Sequence, residues 1–228
     1  GRRASHPEYR KPHLARKLSL TFDNGPDPAV TPQVLADLAA RGLPATFFPV
    51  GERLAEPGGS ATLDQVAAAG HAIGNHTFSH PRPFGALTPA AAIAEIQRTE
   101  ALLAGRQSPG RLFRPSAGGG LLQPGVLNQG IVDYLVAERF SLVLWSLVVE
   151  DWARPDGSWV EIALTGLKRD AWTNLVLHDI PNGAMDHLGR FLDLALAEGV
   201  EVAADLPPAT VPIHEGRIRG PVQNLLAG

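Results

Sequence analysis

The chain has 228 residues, of which 44% are hydrophobic and 19% are charged, and this composition predicts one soluble globular domain with a substantial core. Its formal net charge of -3 leaves no basic surplus for binding nucleic acid or an anionic membrane surface, so neither is expected as a partner. Because the chain has no cysteine, disulfides, thiolate metal sites and a cysteine nucleophile are excluded, and any metal must use His, Asp, Glu, Asn or water.

The first predicted strand ends in a carboxylate. Residues 18–22 alternate apolar and polar side chains, which is typical of an extended segment, and the sequence G-P-D-P at residues 25–28 stops it. Asp23 therefore lies at the carboxyl end of a strand. From these residues alone, Asp23 is either a catalytic group that faces a loop or a cap for the helix that follows.

Strand-like and helical runs alternate along the chain. Six further strands are predicted at residues 45–50, 71–76, 111–115, 142–149, 174–178 and 200–204. Helices are predicted at residues 31–41, 62–69, 88–103, 124–139, 157–168 and 185–198. Thr31 and Thr88 are the expected N-caps of two of them. This alternation predicts an α/β fold, a distorted (β/α) barrel of about seven parallel strands that is left open because a regular barrel has eight.

The domain is predicted to span residues 17–206. Residues 1–16 are polar and basic and are interpreted as a loose N-terminal arm, and residues 207–228 as an extended C-terminal tail on the surface. No apolar run approaches the roughly 18 residues of a membrane span. No signal-type segment begins the chain, so the compartment stays open, and secretion or a periplasmic location would require a leader removed before Gly1.

Polar side chains recur where the predicted strands end. In a parallel α/β barrel the carboxyl ends of the strands share one rim, so side chains that are distant in sequence converge on one cleft. The residues at these positions are Asp23, His76, His80, Arg114, Asp151 and His178. Because separate structural roles would have to explain each position, the recurrence favours the catalytic interpretation of Asp23 over helix capping.

The two histidines and the arginine each have an alternative interpretation. His76 and His80 are four residues apart, so a helical turn after the strand would bring both imidazoles to one metal ion. The alternative is a pair of surface histidines beside a proline turn. Arg114 is either a surface residue or, because it lies in an apolar strand, the partner of a buried carboxylate, for which Asp151 is the expected candidate.

Two further residues, His178 and Trp152, are also open to two interpretations. His178 is either a core histidine with its hydrogen bonds satisfied or, paired with Asp151, a general acid. Trp152 is either a core residue or a flat face for a sugar ring.

Five short motifs follow one another along the chain. Residues 21–26 read T-F-D-N-G-P, and residues 76–80 read H-T-F-S-H. Residues 114–118 read R-P-S-A-G, residues 151–152 read D-W, and an apolar strand ends at His178. In this order they resemble the motifs T-F-D-D-G-P, H-[ST]-x-x-H, R-x-P-[YF]-G, D-W and L-x-L-x-H of the polysaccharide deacetylase (NodB-homology) family, carbohydrate esterase family 4. Five ordered motifs are far more specific than any one of them.

The resemblance implies the NodB-homology fold and a role for each strand-end residue. Asp23 would be the base that activates water, with Arg114 orienting it, and His178 would be the acid that protonates the leaving amine, with Asp151 tuning it. The implied metal ligands are His76, His80 and Asn24, and the implied substrate-binding residues are Trp152, Ser116, Ala117 and Gly118. The implied cofactor is a divalent metal, with zinc expected and cobalt or nickel as substitutes.

Two motifs depart from the family pattern. The third metal ligand of the family is the second Asp of the first motif, and here it is Asn24, a neutral and weaker ligand that lowers the charge of the site by one. We therefore expect weaker binding of a divalent ion. The third motif has Ser116 and Ala117 in place of a proline and an aromatic residue, which predicts a smaller or more mobile groove wall.

These features predict a metal-dependent hydrolase that removes N-acetyl groups from an amino-sugar polymer or oligosaccharide, chitin-like or peptidoglycan. The bond cleaved would be a carbon–nitrogen amide bond and not a peptide bond. One alternative is an amidohydrolase that acts on a small non-sugar amide. Another is a catalytically weakened glycan-binding relative, because Asn24 replaces the usual Asp. The expected partner is an N-acetylated glycan, and no oligomeric state is predicted.

Overall fold

The computed structural model describes residues 15–227. Residues 1–14 of the predicted N-terminal arm and the last residue of the predicted tail lie outside this range. Between residues 15 and 227, no helix is long and apolar enough to cross a membrane.

Two sheets form the centre of the molecule. The strands are β1 Lys17–Asp23, β2 Thr46–Phe48, β3 Ala72–Ile73, β4 Leu112–Phe113, β5 Ser141–Leu142, β6 Leu147–Val148, β7 Trp172–His178, β8 Glu201–Val202, β9 Ile213–His214 and β10 Arg217–Ile218. The first sheet has the order β3-β2-β1-β7-β6, with β8 also paired to β1, and the second has the order β10-β9-β5-β4. Every pair among β1 to β8 is parallel, whereas β9 pairs antiparallel with β5 and β10.

The predicted fold class is confirmed. A parallel bridge between Asn75 and Phe113 connects the two sheets, and backbone hydrogen bonds do not close the remaining gap within the described residues. The barrel is therefore distorted and open. It uses eight short parallel strands and not seven, because the strand predicted at residues 142–149 is split into β5 and β6. At the split, the carbonyl of Leu144 accepts hydrogen bonds from the side chains of Arg114 and Asn174 instead of a neighbouring strand.

Seven helices surround the sheets in the described part of the chain. They are α1 Val30–Ala39, α2 Gly51–Ala55, α3 Gly59–Ala68, α4 Pro89–Leu103, α5 Gln129–Ala137, α6 Trp159–Gly166 and α7 Leu188–Ala197. Thr88 caps α4 as predicted, since its side chain accepts from the N–H of Ala91. Thr31 does not cap α1, because it lies inside the helix and its side chain is buried. The N-cap residue is Ala29, and Oδ1 of Asp27, two residues earlier, accepts from the N–H groups of residues 29–30 at 2.9 Å each.

The core has two parts, and the segment after residue 206 belongs to the second. The first part packs α1, α3, α6 and α7 against β1 and β7. The second packs α4 and α5 against β4 and β5 and includes Ile213, Val222 and Leu225, all of which are buried. The prediction of an extended surface tail at residues 207–228 is therefore wrong for these three residues, although Ile218 is exposed. Their wide spacing in a segment rich in proline gave no helical or strand periodicity to reveal the packing.

Candidate active site

The carboxyl ends of β1 and β7 lie side by side at one rim of the barrel. The register of these two strands places Asp23 directly opposite His178. Both strands are almost entirely buried, so packing of the core fixes where the two side chains lie. A cavity of about 270 Å³ opens at this rim, and its lining includes Asp23, His76, His80, Trp152 and His178. Four of the six residues predicted from strand ends thus line one cleft, and the other two, Arg114 and Asp151, are bonded to Asp23 and His178.

The buried guanidinium of Arg114 holds Asp23. Its Nη1 donates to Asp23 Oδ1 and to Thr21 Oγ1, at 2.8 Å in each case, and its Nη2 donates to the carbonyl of Leu144 at 2.9 Å. Burial alone would raise the pKa of Asp23, but the charge of Arg114 and the nearby histidines hold this pKa below its ordinary value. The partner implied by the family resemblance is therefore observed, and Asp151 as the partner of Arg114 is wrong.

The two histidines meet through a left-handed loop and not through the helical turn that their spacing suggested. Their ring centroids are 4.9 Å apart. Thr77 and His80 have φ values of 69° and 55°, so the chain reverses between them in a conformation that few residues adopt. The carboxylate of Glu95 supports the loop because it accepts from the N–H groups of residues 78–79 at 2.9 and 2.7 Å.

The imidazoles of His76 and His80 are both neutral, so each has a nitrogen lone pair. His76 Nδ1 donates to the carbonyl of Arg114 at 2.8 Å, which leaves Nε2 unprotonated, 3.5 Å from Asp23 Oδ2. Burial lowers the pKa of His76 against the opposing charge of Asp23. Burial, with the nearby His76 and Arg82, lowers the pKa of His80 to about 3. Neutral histidines are the form that binds metal ions.

The donor groups at the cavity are of types that bind divalent cations. Among residues 15–227, no three His, Cys, Asp or Glu side chains are arranged to hold a metal ion, so any ion held by His76 and His80 would need a further ligand of another type or water. Asn24 lines the same cavity as both histidines. Its Oδ1 is buried and finds no hydrogen-bond partner in the described part of the chain. Leaving a buried acceptor unsatisfied costs free energy, and a bound cation would satisfy it.

A second buried pair lies on the other side of the cavity. His178 Nδ1 donates to Asp151 Oδ1 at 2.9 Å, and the backbone N–H of His178 donates to Asp151 Oδ2 at 2.9 Å. Burial would lower the pKa of His178, but the Asp151 carboxylate, with smaller contributions from Asp23 and Asp179, raises this pKa above its ordinary value. The ring of Trp152 meets His178 edge-on, with centroids 5.0 Å apart. His178 also lines the cavity, which favours the general-acid interpretation over a core histidine.

The altered third motif contributes less to the cavity than the resemblance implied. Ala117 lines it, but Ser116 is buried and donates its hydroxyl to the carbonyl of Pro81. Gly118 does not line the cavity, whereas Gly119 and Gly120 do.

Three further residues at the site were missed by the sequence analysis. Arg82 and Trp145 line the cavity, and the indole of Trp145 donates to the carbonyl of Gly120 at 2.9 Å. Asp179, beside His178, is buried beneath the loop that follows β1, and burial raises its pKa to about 7. An acid directly after the strand-end histidine was the available signal for Asp179. Arg82 and Trp145 carry no comparable signal, because a lone exposed arginine and a strand tryptophan are common.

Comparisons with known proteins identify the family. The model of the polysaccharide deacetylase family matches residues 10–123. The chain is 31% identical to a chitooligosaccharide deacetylase of Rhizobium leguminosarum bv. phaseoli, over 74% of this chain and 65% of that protein. It is also 31% identical to a peptidoglycan-N-acetylglucosamine deacetylase of Bacillus cereus, over 74% of this chain and 54% of that one. A solved structure described as T48 deacetylase with substrate matches with a TM-score of 0.67 at 27% identity, covering 83% of this chain and 88% of that chain.

The fold and cavity define an α/β barrel protein with a carboxylate, two neutral histidines and a paired histidine at the carboxyl rim. The chain belongs to the polysaccharide deacetylase family, as its five motifs indicated. It spans less than two thirds of the length of the two curated relatives named above.

Proposed function

We propose that the protein is a metal-dependent deacetylase that hydrolyses the N-acetyl groups of an amino-sugar polymer or oligosaccharide, chitin-like or peptidoglycan. The observation that carries the proposal is the placement of Asp23 and His178, each with a buried partner of opposite charge, on adjacent strands that face one cavity. The names of the similar proteins support this class of substrate.

A divalent metal, with zinc expected and cobalt or nickel as substitutes, would be held by His76, His80 and Asn24. When bound, such an ion polarises an acetyl carbonyl and makes a water molecule more acidic. The neutral histidines and the unpartnered Oδ1 of Asn24 supply the ligands for it.

Asp23 is the general base. Arg114 occupies its Oδ1, so Oδ2 is free to accept the proton of the water that attacks the acetyl carbon. The pKa of Asp23 is held below its ordinary value, so the carboxylate is ionised before the reaction and its orientation is already fixed.

His178 is the general acid. Its Nδ1 is bonded to Asp151, so the proton that it delivers is on Nε2. Delivery of this proton to the amide nitrogen accompanies breaking of the carbon–nitrogen bond, and acetate and a free amine leave. The lowered pKa of Asp23 and the raised pKa of His178 widen the pH range in which the carboxylate is ionised while the imidazole is protonated.

The test is acetate release from three substrates by the purified protein: N-acetylglucosamine oligomers, N-acetylated peptidoglycan and a small aromatic acetamide. The proposal predicts saturable release from at least one of the glycans. Release from the small amide alone would identify a small-amide hydrolase. Glycan binding without any release of acetate would identify a glycan-binding relative, the alternative that Asn24 favours.

A further inference from the structure

The carboxylate of Asp179 is buried beside the active site, and the proposed reaction does not use it. Asp179 directly follows His178 at the end of β7 and is 1% exposed. Its Oδ1 accepts from the backbone N–H of Gly25 at 3.1 Å, and its Oδ2 accepts from Thr31 Oγ1 at 2.5 Å. Both oxygens are thus bonded to the segment that follows β1.

The hydrogen bond from the Gly25 N–H to Asp179 fixes the peptide bond between Asn24 and Gly25. On the other side of the same residue, the carbonyl of Gly25 accepts from the N–H of Val50 at 2.9 Å. A Cβ added at Gly25 would lie 2.1 Å from Asp179 Oδ2, so only glycine allows the backbone to approach the carboxylate this closely. Asn24 itself has a φ of 72°, a conformation that needs support from its surroundings.

Thr31 connects the same carboxylate to the first turn of α1. Its hydroxyl donates to Asp179 and accepts from the N–H of Asp27 at 2.9 Å. Asp27 Oδ1 in turn accepts from the N–H groups of residues 29–30 at the start of α1. Thr31 is fully buried and does not line the cavity, and its hydroxyl is connected to the site through Asp179.

We propose that Asp179 is a positioning residue that holds the backbone of Asn24 and Gly25 and thereby places the Asn24 amide for metal binding and the Asp23 carboxylate for proton transfer. The inference rests on the proposed function. It extends that function to a residue outside the five motifs. Groups that orient metal ligands from behind typically change metal affinity or activity by about 10- to 100-fold.

The test uses substitutions of Thr31, because they remove a hydrogen-bond partner of Asp179 without changing a residue that lines the cavity. Thr31→Val keeps the shape of the side chain and deletes the hydroxyl, and Thr31→Ser keeps the hydroxyl. Asp179→Ala removes both acceptors at once. Thr62→Val is the matched control, because Thr62 is a buried helical threonine of α3 whose hydroxyl donates to the carbonyl of Gly58 at 2.8 Å, away from the cavity.

Three quantities are measured for each variant: zinc affinity by competition with a chromophoric chelator, kcat and KM of the zinc-saturated protein, and amide hydrogen exchange by mass spectrometry. We expect Thr31→Val to weaken zinc binding and lower kcat by about tenfold each, with KM unchanged. Exchange should become faster in the peptide that covers residues 23–27. Asp179→Ala should give larger changes of the same kind, and Thr31→Ser should restore wild-type values.

The inference is overturned if Thr31→Val only lowers Tm, as Thr62→Val does, and leaves zinc affinity, kcat and exchange at residues 23–27 unchanged. Hydrogen exchange does not depend on turnover. If the wild-type protein releases no acetate, the proposed function fails, whereas unchanged exchange at residues 23–27 contradicts the role of Asp179 itself.

Discussion

Two buried ion pairs flank the cavity. Their hydrogen-bond lengths are nearly the same, but they shift the pKa of the residue that lines the cavity in opposite directions. In the first, Arg114 donates to Asp23 at 2.8 Å, and in the second, His178 donates to Asp151 at 2.9 Å. Burial disfavours the charged form of Asp23 and of His178 alike. The partner reverses this in each case, so the pKa of Asp23 lies below its ordinary value and the pKa of His178 lies above it.

The difference between the two pairs assigns the base and the acid. Arg114 cannot lose its proton near neutral pH, so it stabilises an ionised carboxylate that is ready to accept a proton. Asp151 is a carboxylate, so it stabilises a protonated imidazole that is ready to donate one. Pairs of titratable groups whose surroundings push their pKa values apart are how one site supplies acid and base at the same pH.

Asp23→Asn should have the largest effect on turnover, because it removes the base and keeps the shape of the side chain. We expect kcat for acetate release to fall by about 10²- to 10⁴-fold, with zinc content and Tm close to wild type. Asp133→Asn, at an exposed position of α5, is the control for the same chemical change. Acetate release at the wild-type rate by Asp23→Asn would remove Asp23 from the reaction.

His178→Ala tests the second ion pair, in which His178 is bonded to Asp151. Loss of the general acid should lower kcat by about 10²-fold and abolish the alkaline limb of the pH–rate profile. His187→Ala replaces a histidine that bonds to the carbonyl of Pro155 and should leave the profile unchanged. A fully active His178→Ala protein would mean that the second pair is structural.

Asn24→Asp sharpens the comparison by adding a negative charge to the cavity that the two pairs flank. The unpartnered Oδ1 of Asn24 supplies a dipole, and a carboxylate would supply a full charge to a bound cation. We expect the zinc dissociation constant to fall at least about tenfold, or by about 1.4 kcal/mol, in a competition assay with a chelator. Equal affinity of the two proteins would show that residue 24 is not a ligand.

Asp151→Asn should cause the smallest change, a shift of the pH profile. Asp151 is the largest of the influences that raise the pKa of His178, so this pKa should fall without the carboxylate and the alkaline limb of kcat should move to lower pH. The charged histidine also stabilises the wild-type fold. This contribution is present below the pKa of His178 in the unfolded state and is lost as the pH rises through its pKa in the folded state. It should disappear in Asp151→Asn. Rate measurements across pH check the first effect, and urea unfolding across pH checks the second. An unmoved alkaline limb would contradict the role of Asp151.

The sequence indicated which residues meet and that His178 pairs with Asp151, but it named the wrong partner for Arg114. Residues such as Asp23 and His178 could be predicted because alternation and turn signals mark the end of each strand. The partner of Arg114 could not, because that choice depends on which strands are adjacent and in what register. The resemblance to the family motifs supplied the pairing of Arg114 with Asp23 instead.

Local backbone geometry was the other part that could not be predicted. The left-handed loop from His76 to His80 brings together rings that an assumed helical turn would also have brought together, so the spacing gave the right pair for the wrong reason. Thr31 has the sequence features of an N-cap, but its hydroxyl bonds to Asp179, a residue 148 positions away. Tertiary contacts of this kind override local preference and leave no periodic signal.

The most direct test of the central claim is metal-dependent acetate release from one sample. The purified protein is assayed with N-acetylglucosamine oligomers as prepared, after chelation, and after zinc is added back, with bound zinc measured at each step. The account predicts that chelation removes both zinc and activity and that added zinc restores both in proportion. A chelated, zinc-free protein that still releases acetate, or a zinc-loaded protein that releases none from any glycan, would contradict it.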